Sequence, residues 1–291
     1  MIEPGHERRH ASSGAGFTDA VTYAFADPAR ELFGLARLGI SEDEQGSALA
    51  VLFHRREPVA VTVGGGLAVP EGADWGDLRL EAVATAIDAP LERWTLAWDA
   101  DGGAVELTFE AASAPAAIGA PVAALGGLDG YVQLCRVTGR VRAGSETLPF
   151  DGTGERRHEW GVADWTGLEL VRTVSVWLGD DAGGVALTAL RPAGSRGHDE
   201  ERVWAALVEG GEPVVVEDPR LSTTYDGDGH QRRAGLELWV SDEDPYPRRA
   251  AGQVVCGTSL DLGALRLDLA FMRWHADGRA GVGRYDVLRR A

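Results

Sequence analysis

Residues 152–165, GTGERRHEWGVADW, gather Arg156, His158, Trp160, Asp164 and Trp165 into fourteen positions. A histidine exchanges protons near neutral pH. A carboxyl buried against an indole has its pKa raised and can serve as a general acid. On a strand His158 and Trp160 share a face, while Asp164 and Trp165 point to opposite sides. The expected chemistry is therefore proton transfer, with Asp164 as the acid and His158 as its proton partner or orienting group. Trp160 and Trp165 would wall a substrate cavity, and Arg156 would hold structure or an anion. Gly152 and Gly154 permit tight or left-handed backbone, and Gly161 permits close approach beside Trp160. The same residue types also describe a plugged barrel end, a guanidinium stacked on indole and paired to a carboxylate. The residues alone leave both readings open.

The rest of the chain supplies short strands to carry such groups. VELTF (105–109) puts Val105, Leu107 and Phe109 on one face. LELVRTVSVWL (168–178), LELWV (236–240) and LRLDLA (265–270) repeat the alternation. Further strands are expected at 48–53, 59–63, 94–98, 131–137, 185–190, 204–208, 213–217 and 285–288. Turn-rich segments separate them at 99–103, 179–184, 225–230 and 276–281. DLRLEAVATAI (77–87) could form a helix by composition, and the Ala-, Gly- and Pro-rich stretch 111–130 reads as a linker between two β-units. The expected fold class is all-β, two tandem antiparallel β-barrels. Residues 1–124 would form the first, and residues 125–291 the second, carrying the RRHEWG segment.

Composition excludes several function classes. The net charge of −17 opposes binding to nucleic acid. All basic residues are Arg, so chemistry that needs a lysine is ruled out: Schiff bases, the Walker motif and pyridoxal phosphate. No apolar run is long enough to span a bilayer. The opening MIEPGHERRHASSGAGF has no apolar core of a signal peptide, so a cytoplasmic location is expected. Cys135 and Cys256 should pack as small hydrophobes, and nothing speaks to oligomeric state.

Other candidates have plainer readings. YDGDGH (225–230) spaces Asp226, Asp228 and His230 alternately but lacks the closing glutamate of a calcium loop, so a solvated turn is expected. His6 and His10 fall in a segment expected to be mobile. GVGRYD (281–286) does not stand at a strand-to-helix turn, so it is no dinucleotide site. Neither a metal nor a cofactor is expected. The nine tryptophans, Trp94 and Trp98 among them, could form core or line an apolar cavity.

The segment GRVRAGSETLPFDGTGERRHEWGVADW (139–165) resembles the signature of the lipocalin-like superfamily of carotenoid 1,2-hydratases (hydroxyneurosporene synthases) and AttH-like proteins. In the actinobacterial branch it resembles most, the motif runs G-x-G-x-R-D-H-S-W-G-x-R-D-W. Gly152, Gly154, Arg156, His158, Trp160, Gly161, Asp164 and Trp165 match it; Arg157, Glu159 and Ala163 depart from it. PLERWTLAWDADGGAVELTFEA (90–111) and GVGRYDVL (281–288) extend the resemblance. It implies tandem lipocalin-like barrels and a cofactor-independent hydratase, cyclase or isomerase acting on a hydrophobic, isoprenoid or polyketide-like small molecule. The hydratases also carry a Tyr-x-Asp pair downstream; here none follows Trp165 closely, and Asp180 and Asp181 are the nearest aspartates after it. The alternatives are a non-catalytic carrier of an apolar ligand, or a signature that only staples the fold.

Overall fold

The computed structural model describes residues 1–179 and 183–291, apart from the side chain of Asp199. Asp180 and Asp181, in the expected turn at 179–184, lie outside the described residues. The first eight strands are β1 (Phe17–Asp27), β2 (Leu32–Ser41), β3 (Gln45–His54), β4 (Glu57–Ala68), β5 (Asp77–Leu80), β6 (Val83–Ala89), β7 (Arg93–Ala100) and β8 (Gly103–Ala111). A two-residue β9 (Ala116–Ala117) and a short helix α1 (Ala120–Gly126) precede the long strands β10 (Leu128–Ala143) and β11 (Glu146–Val162). Then follow β12 (Leu168–Trp177), β13 (Gly184–Pro192), β14 (Arg202–Glu209), β15 (Glu212–Val215), β16 (Asp218–Tyr225), β17 (Gln231–Trp239), β18 (Arg248–Asp261), β19 (Leu265–Ala276) and β20 (Arg279–Arg290).

These strands form two curled antiparallel sheets, the first nearly a closed barrel and the second a half-barrel. The first sheet runs β4-β3-β2-β1-β11-β10-β8-β7-β6-β5, with β9 on β10. The second runs β15-β14-β13-β12-β20-β19-β18-β17-β16. The tandem lipocalin-like architecture expected from the sequence is the one observed. Alternation decides which side chains enter each core. Trp94, Leu96 and Trp98 of β7 lie beside Val105, Leu107 and Phe109 of β8 in one core; Val174, Val176, Tyr285 and Val287 belong to the other. Cys135 and Cys256 are buried and unbridged.

Three expectations need correction. The boundary at residue 124 does not divide the chain: one unit comprises Met1–Ala117 with Leu128–Ala163, the other Ile118–Gly127 with Asp164–Ala291. The reason is pairing, because β11 zips onto β1 on one side and β10 on the other, and β10 continues onto β8. The RRHEWG segment therefore belongs to the first unit. Second, residues 77–87 are not helical; β5 and β6 form a tight hairpin turning at Glu81, whose φ of 52° breaks any helical period. Third, 111–130 is no simple linker, since α1 packs on β13 and β14 before the chain returns to the first sheet.

Candidate active site

The signature glycines let two strands meet. A Cβ on Gly152 or Gly154 would stand 2.1 or 2.2 Å from the carbonyl oxygens of Ala26 and Ala24 on β1. With these contacts open, β11 lies in register along β1, pairing Asp19 with Trp160, Val21 with His158 and Tyr23 with Arg156. Its other edge pairs Tyr131 of β10 with His158. Arg156, His158 and Trp160 alternate along β11 and so share one face. The leading segment, Met1–Gly16, crosses this face, with one turn of 3-10 helix at Pro4–Glu7.

Two buried clusters result. In the first, the Glu7 carboxylate accepts hydrogen bonds from Trp94 Nε1 at 2.9 Å, from the Tyr131 hydroxyl and from Arg156 Nη1 at 2.8 Å. Arg156 Nη1 also donates to the Tyr131 oxygen at 2.6 Å, and the guanidinium carbon sits 5.0 Å from the Trp94 ring centre. Burial would lower the arginine pKa, but facing Tyr131, Tyr23 and Glu7 it is raised, and the charge stays on. Burial pushes the Tyr131 phenol well above its usual range.

In the second cluster, His158 Nε2 lies 2.6 Å from Asp19 Oδ1, both side chains being inaccessible to solvent. Asp19 Oδ1 also accepts from Trp75 Nε1 at 3.2 Å, and Oδ2 accepts from the His10 backbone N–H at 2.6 Å. Burial alone would raise the Asp19 carboxyl; hydrogen bonds from His10 and His158 hold it well below the ordinary carboxylate range. Burial lowers the His158 imidazole, more than its bond to Asp19 raises it, and the charge on Arg156 adds to the lowering. At neutral pH the pair is a carboxylate beside a neutral imidazole. The carboxylate can only accept, so Nε2 carries the proton and Nδ1 keeps the lone pair. Nδ1 is buried and bonded to nothing.

Aromatic rings surround this free nitrogen's imidazole. Trp160, His10, Tyr131 and Trp75 present ring centres 5.1, 5.3, 5.8 and 6.0 Å from that of His158, all steeply inclined to it. His10 stacks flat on Trp160 at 3.7 Å, and these two half-buried rings form the outer cover of the box. The arrangement is chemically a base held in one tautomer by an acceptor, inside an apolar enclosure.

The whole of this geometry lies on a chain matched from residue 3 to 291 by the family described as Domain of unknown function (DUF7064). The chain belongs to DUF7064. No curated protein is detectably similar to it in sequence. Solved structures resemble it more broadly. CghA with Sch210972 superposes with a TM-score of 0.69 at 12% identity, over 95% of this chain and 89% of that one. An AttH-like protein from Nitrosomonas europaea gives 0.65 at 13%, over 93% and 91%. Kievitone hydratase from Nectria haematococca gives 0.67 at 11%, over 94% and 89%. At these identities the likeness shows the fold alone, a tandem lipocalin-like one shared with these proteins.

Within the DUF7064 chain, the sequence-expected residues part company. Arg156, His158 and Trp160 stand together on β11, but Asp164 and Trp165 do not join them. Asp164 is exposed in the turn after β11, where Oδ1 accepts from the Thr166 hydroxyl at 2.6 Å and from the Thr166 and Gly167 N–H groups. Those bonds lower its pKa, the opposite of what a buried general acid needs. Trp165 is half-buried in the same turn. The carboxylate on His158 is Asp19 instead, which sequence reasoning missed, as it missed Glu7. His10, expected to be mobile, is pinned by Asp19 and Trp160. His10, Asp19 and His158 do bring three ligand atoms within 4.8 Å of one another, as do Asp226, Asp228 and His230. In the first group those atoms already bond each other; in the second, Asp226 Oδ1 caps a turn by accepting from the Asp228 and His230 N–H groups.

Proposed function

We propose that this protein is a cofactor-independent hydratase, cyclase or isomerase for a hydrophobic small molecule, isoprenoid or polyketide-like, with His158 as its base. One observation carries the reading: the buried, unbonded Nδ1 of His158, its tautomer set by Asp19, within a box of aromatic rings. A structural histidine gains nothing from leaving a buried lone pair unsatisfied, which costs about 1–3 kcal/mol. A base needs that lone pair. Asp19 orients the ring and stabilises the imidazolium that forms when Nδ1 takes a proton. Trp160, Tyr131 and Trp75 supply apolar walls, and their faces favour developing positive charge. Arg156 acts by holding the neighbouring cluster closed.

In an isomerisation, Nδ1 removes a proton from a carbon beside an electron-withdrawing group, and the imidazolium returns it at another carbon. In hydration of an activated alkene, Nδ1 takes a proton from water as its oxygen bonds to one carbon. The imidazolium then protonates the other, so that H and OH are added in sum. Either route lets one residue serve as base and then acid. Asp164 has no place in it.

The test is turnover of a panel of conjugated polyenes and unsaturated ketones, followed by mass spectrometry for a gain of water or for a rearranged isomer. His158→Gln keeps a donor toward Asp19 but no base; turnover should fall about 10²–10⁴-fold with folding and ligand binding intact. Turnover equal to wild type would refute the proposal. Tight binding by both proteins with no turnover in either would favour the carrier reading.

A further inference from the structure

The segment Met1–Gly16 holds a carboxylate, Glu7, where a ligand's acid group would fit. Glu7 is 2% exposed although it sits on a single 3-10 turn with no regular structure on either side until β1. All its partners, Trp94, Tyr131 and Arg156, belong to strands of the first sheet, whereas Glu7 alone comes from a crossing segment. Arg156, fully buried, meets Glu7 through Nη1 alone; its Nε and Nη2 make no hydrogen bond of normal distance and angle, with the Tyr23 hydroxyl beside the guanidinium. A guanidinium offers a planar fork suited to two carboxylate oxygens at once, and here Glu7 engages it at one nitrogen only. The barrel thus contains a built anion site that Glu7 fills incompletely.

We infer that this site binds the carboxylate of a hydrophobic carboxylic acid, and that Glu7 is an internal stand-in which the ligand displaces. The segment is tethered in a way that allows this. Beyond Glu7 it is held by the Arg9 guanidinium on exposed Glu44, by the Arg9 N–H on Asp74, by the His10 N–H on Asp19 and by the His10 stack on Trp160. The exposed pair and the half-buried stack are weak restraints. A carboxylate seated on Arg156, Tyr131 and Trp94 lies next to the proposed base, because Tyr131 serves both clusters: its hydroxyl bonds Glu7, and its ring faces His158. The acid group would anchor one end while the apolar body replaces the lifted segment under Trp160. This substrate class rests on the catalytic reading of His158; the anion site itself does not.

Binding, not turnover, is the test, so the two readings can fail separately. Wild type, Glu7→Gln and Glu7→Ala are titrated with decanoate and with decanol by calorimetry. Emptying the site should tighten decanoate binding at least about tenfold, as expected when an internal competitor is removed, and leave decanol unchanged. Adding Arg156→Gln to Glu7→Ala should abolish the gain. In wild type, saturating decanoate should speed amide hydrogen exchange in residues 3–10, and decanol should not. Should Glu7→Ala fail to fold in chloride, acetate at equal ionic strength should restore folding by filling the site. Unchanged decanoate affinity in Glu7→Gln or Glu7→Ala, an equal gain for decanol, or no response of an unfolded variant to acetate would each overturn the inference. A decanoate gain in a protein that turns nothing over would leave the anion site standing and the catalytic reading fallen.

Discussion

Each of the two sheets buries an arginine, a glutamate and a tyrosine together, and the second cluster shows what is particular about the first. In the second unit Arg172 donates to Glu201, to Thr223 Oγ1 at 3.0 Å and to the Tyr285 hydroxyl at 3.3 Å. There too the glutamate follows a single 3-10 turn, His198–Glu200, as Glu7 ends the turn Pro4–Glu7. In both places burial raises the tyrosine and the arginine keeps its charge. Arginine, glutamate and tyrosine thus form a buried, hydrogen-bonded cluster that the chain builds twice. The histidines differ. His198 is 49% exposed and bonds the same glutamate that Arg172 uses, 2.6 Å from Oε1. His158 is wholly buried and has its own carboxylate, Asp19. A buried imidazole with an unbonded Nδ1 beside the arginine cluster is what the first unit adds.

The largest effects should come from breaking the buried arginine clusters. Glu7→Ala leaves Arg156 buried and uncompensated and should cost about 3–5 kcal/mol in urea unfolding. Glu201→Ala should cost less, because Arg172 keeps two hydroxyl acceptors where Arg156 keeps one. Equal losses would break the distinction. Combining Glu7→Ala with Arg156→Met should recover most of the loss, since no orphaned charge then remains.

Next in size is the histidine contrast. His158→Gln should abolish nearly all turnover of any substrate found, whereas His198→Gln should leave it unchanged. A matching loss in both would make the two clusters equivalent.

A smaller effect follows from pH. Burial depresses His158 below its free value of about 6.5. As pH falls, the unfolded chain takes up this proton before the folded one does. Stability from this residue is therefore complete above about pH 6.5 and declines below it, by at most about 1.4 kcal/mol per pH unit. Urea unfolding between pH 7.5 and 5 should show that slope in wild type and lose it in His158→Gln. An unchanged slope in the variant would assign it elsewhere. The smallest effect belongs to Asp164→Asn, which touches only an exposed turn and should leave turnover as it was.

The sequence shows this comparison unevenly, for physical reasons. Alternating strands such as β7 and β8 are legible because one face is wet and the other dry. β1 and β2 are not, since FTDAVTYAFAD and LFGLARLGIS are buried on nearly every residue and lose the period-two contrast. Arg156, His158 and Trp160 stood out because all three lie on one strand. Asp19 and Glu7 could not be matched to them, because 139 and 149 residues separate each from its partner. Only the β1–β11 register and the crossing segment bring them there. Asp164 drew notice by proximity in sequence, but the turn after β11 carries it to the surface.

The central claim is a neutral His158 whose Nδ1 is an unprotonated base and whose Nε2–H is fixed by Asp19. Nitrogen-15 NMR of histidine-labelled protein at pH 7, assigned with His158→Gln and repeated on Asp19→Asn, measures this directly. The account predicts one imidazole with a pyridine-like Nδ1 and a protonated Nε2, a preference weakened in Asp19→Asn. An imidazolium at His158, or a proton resident on Nδ1, would contradict it.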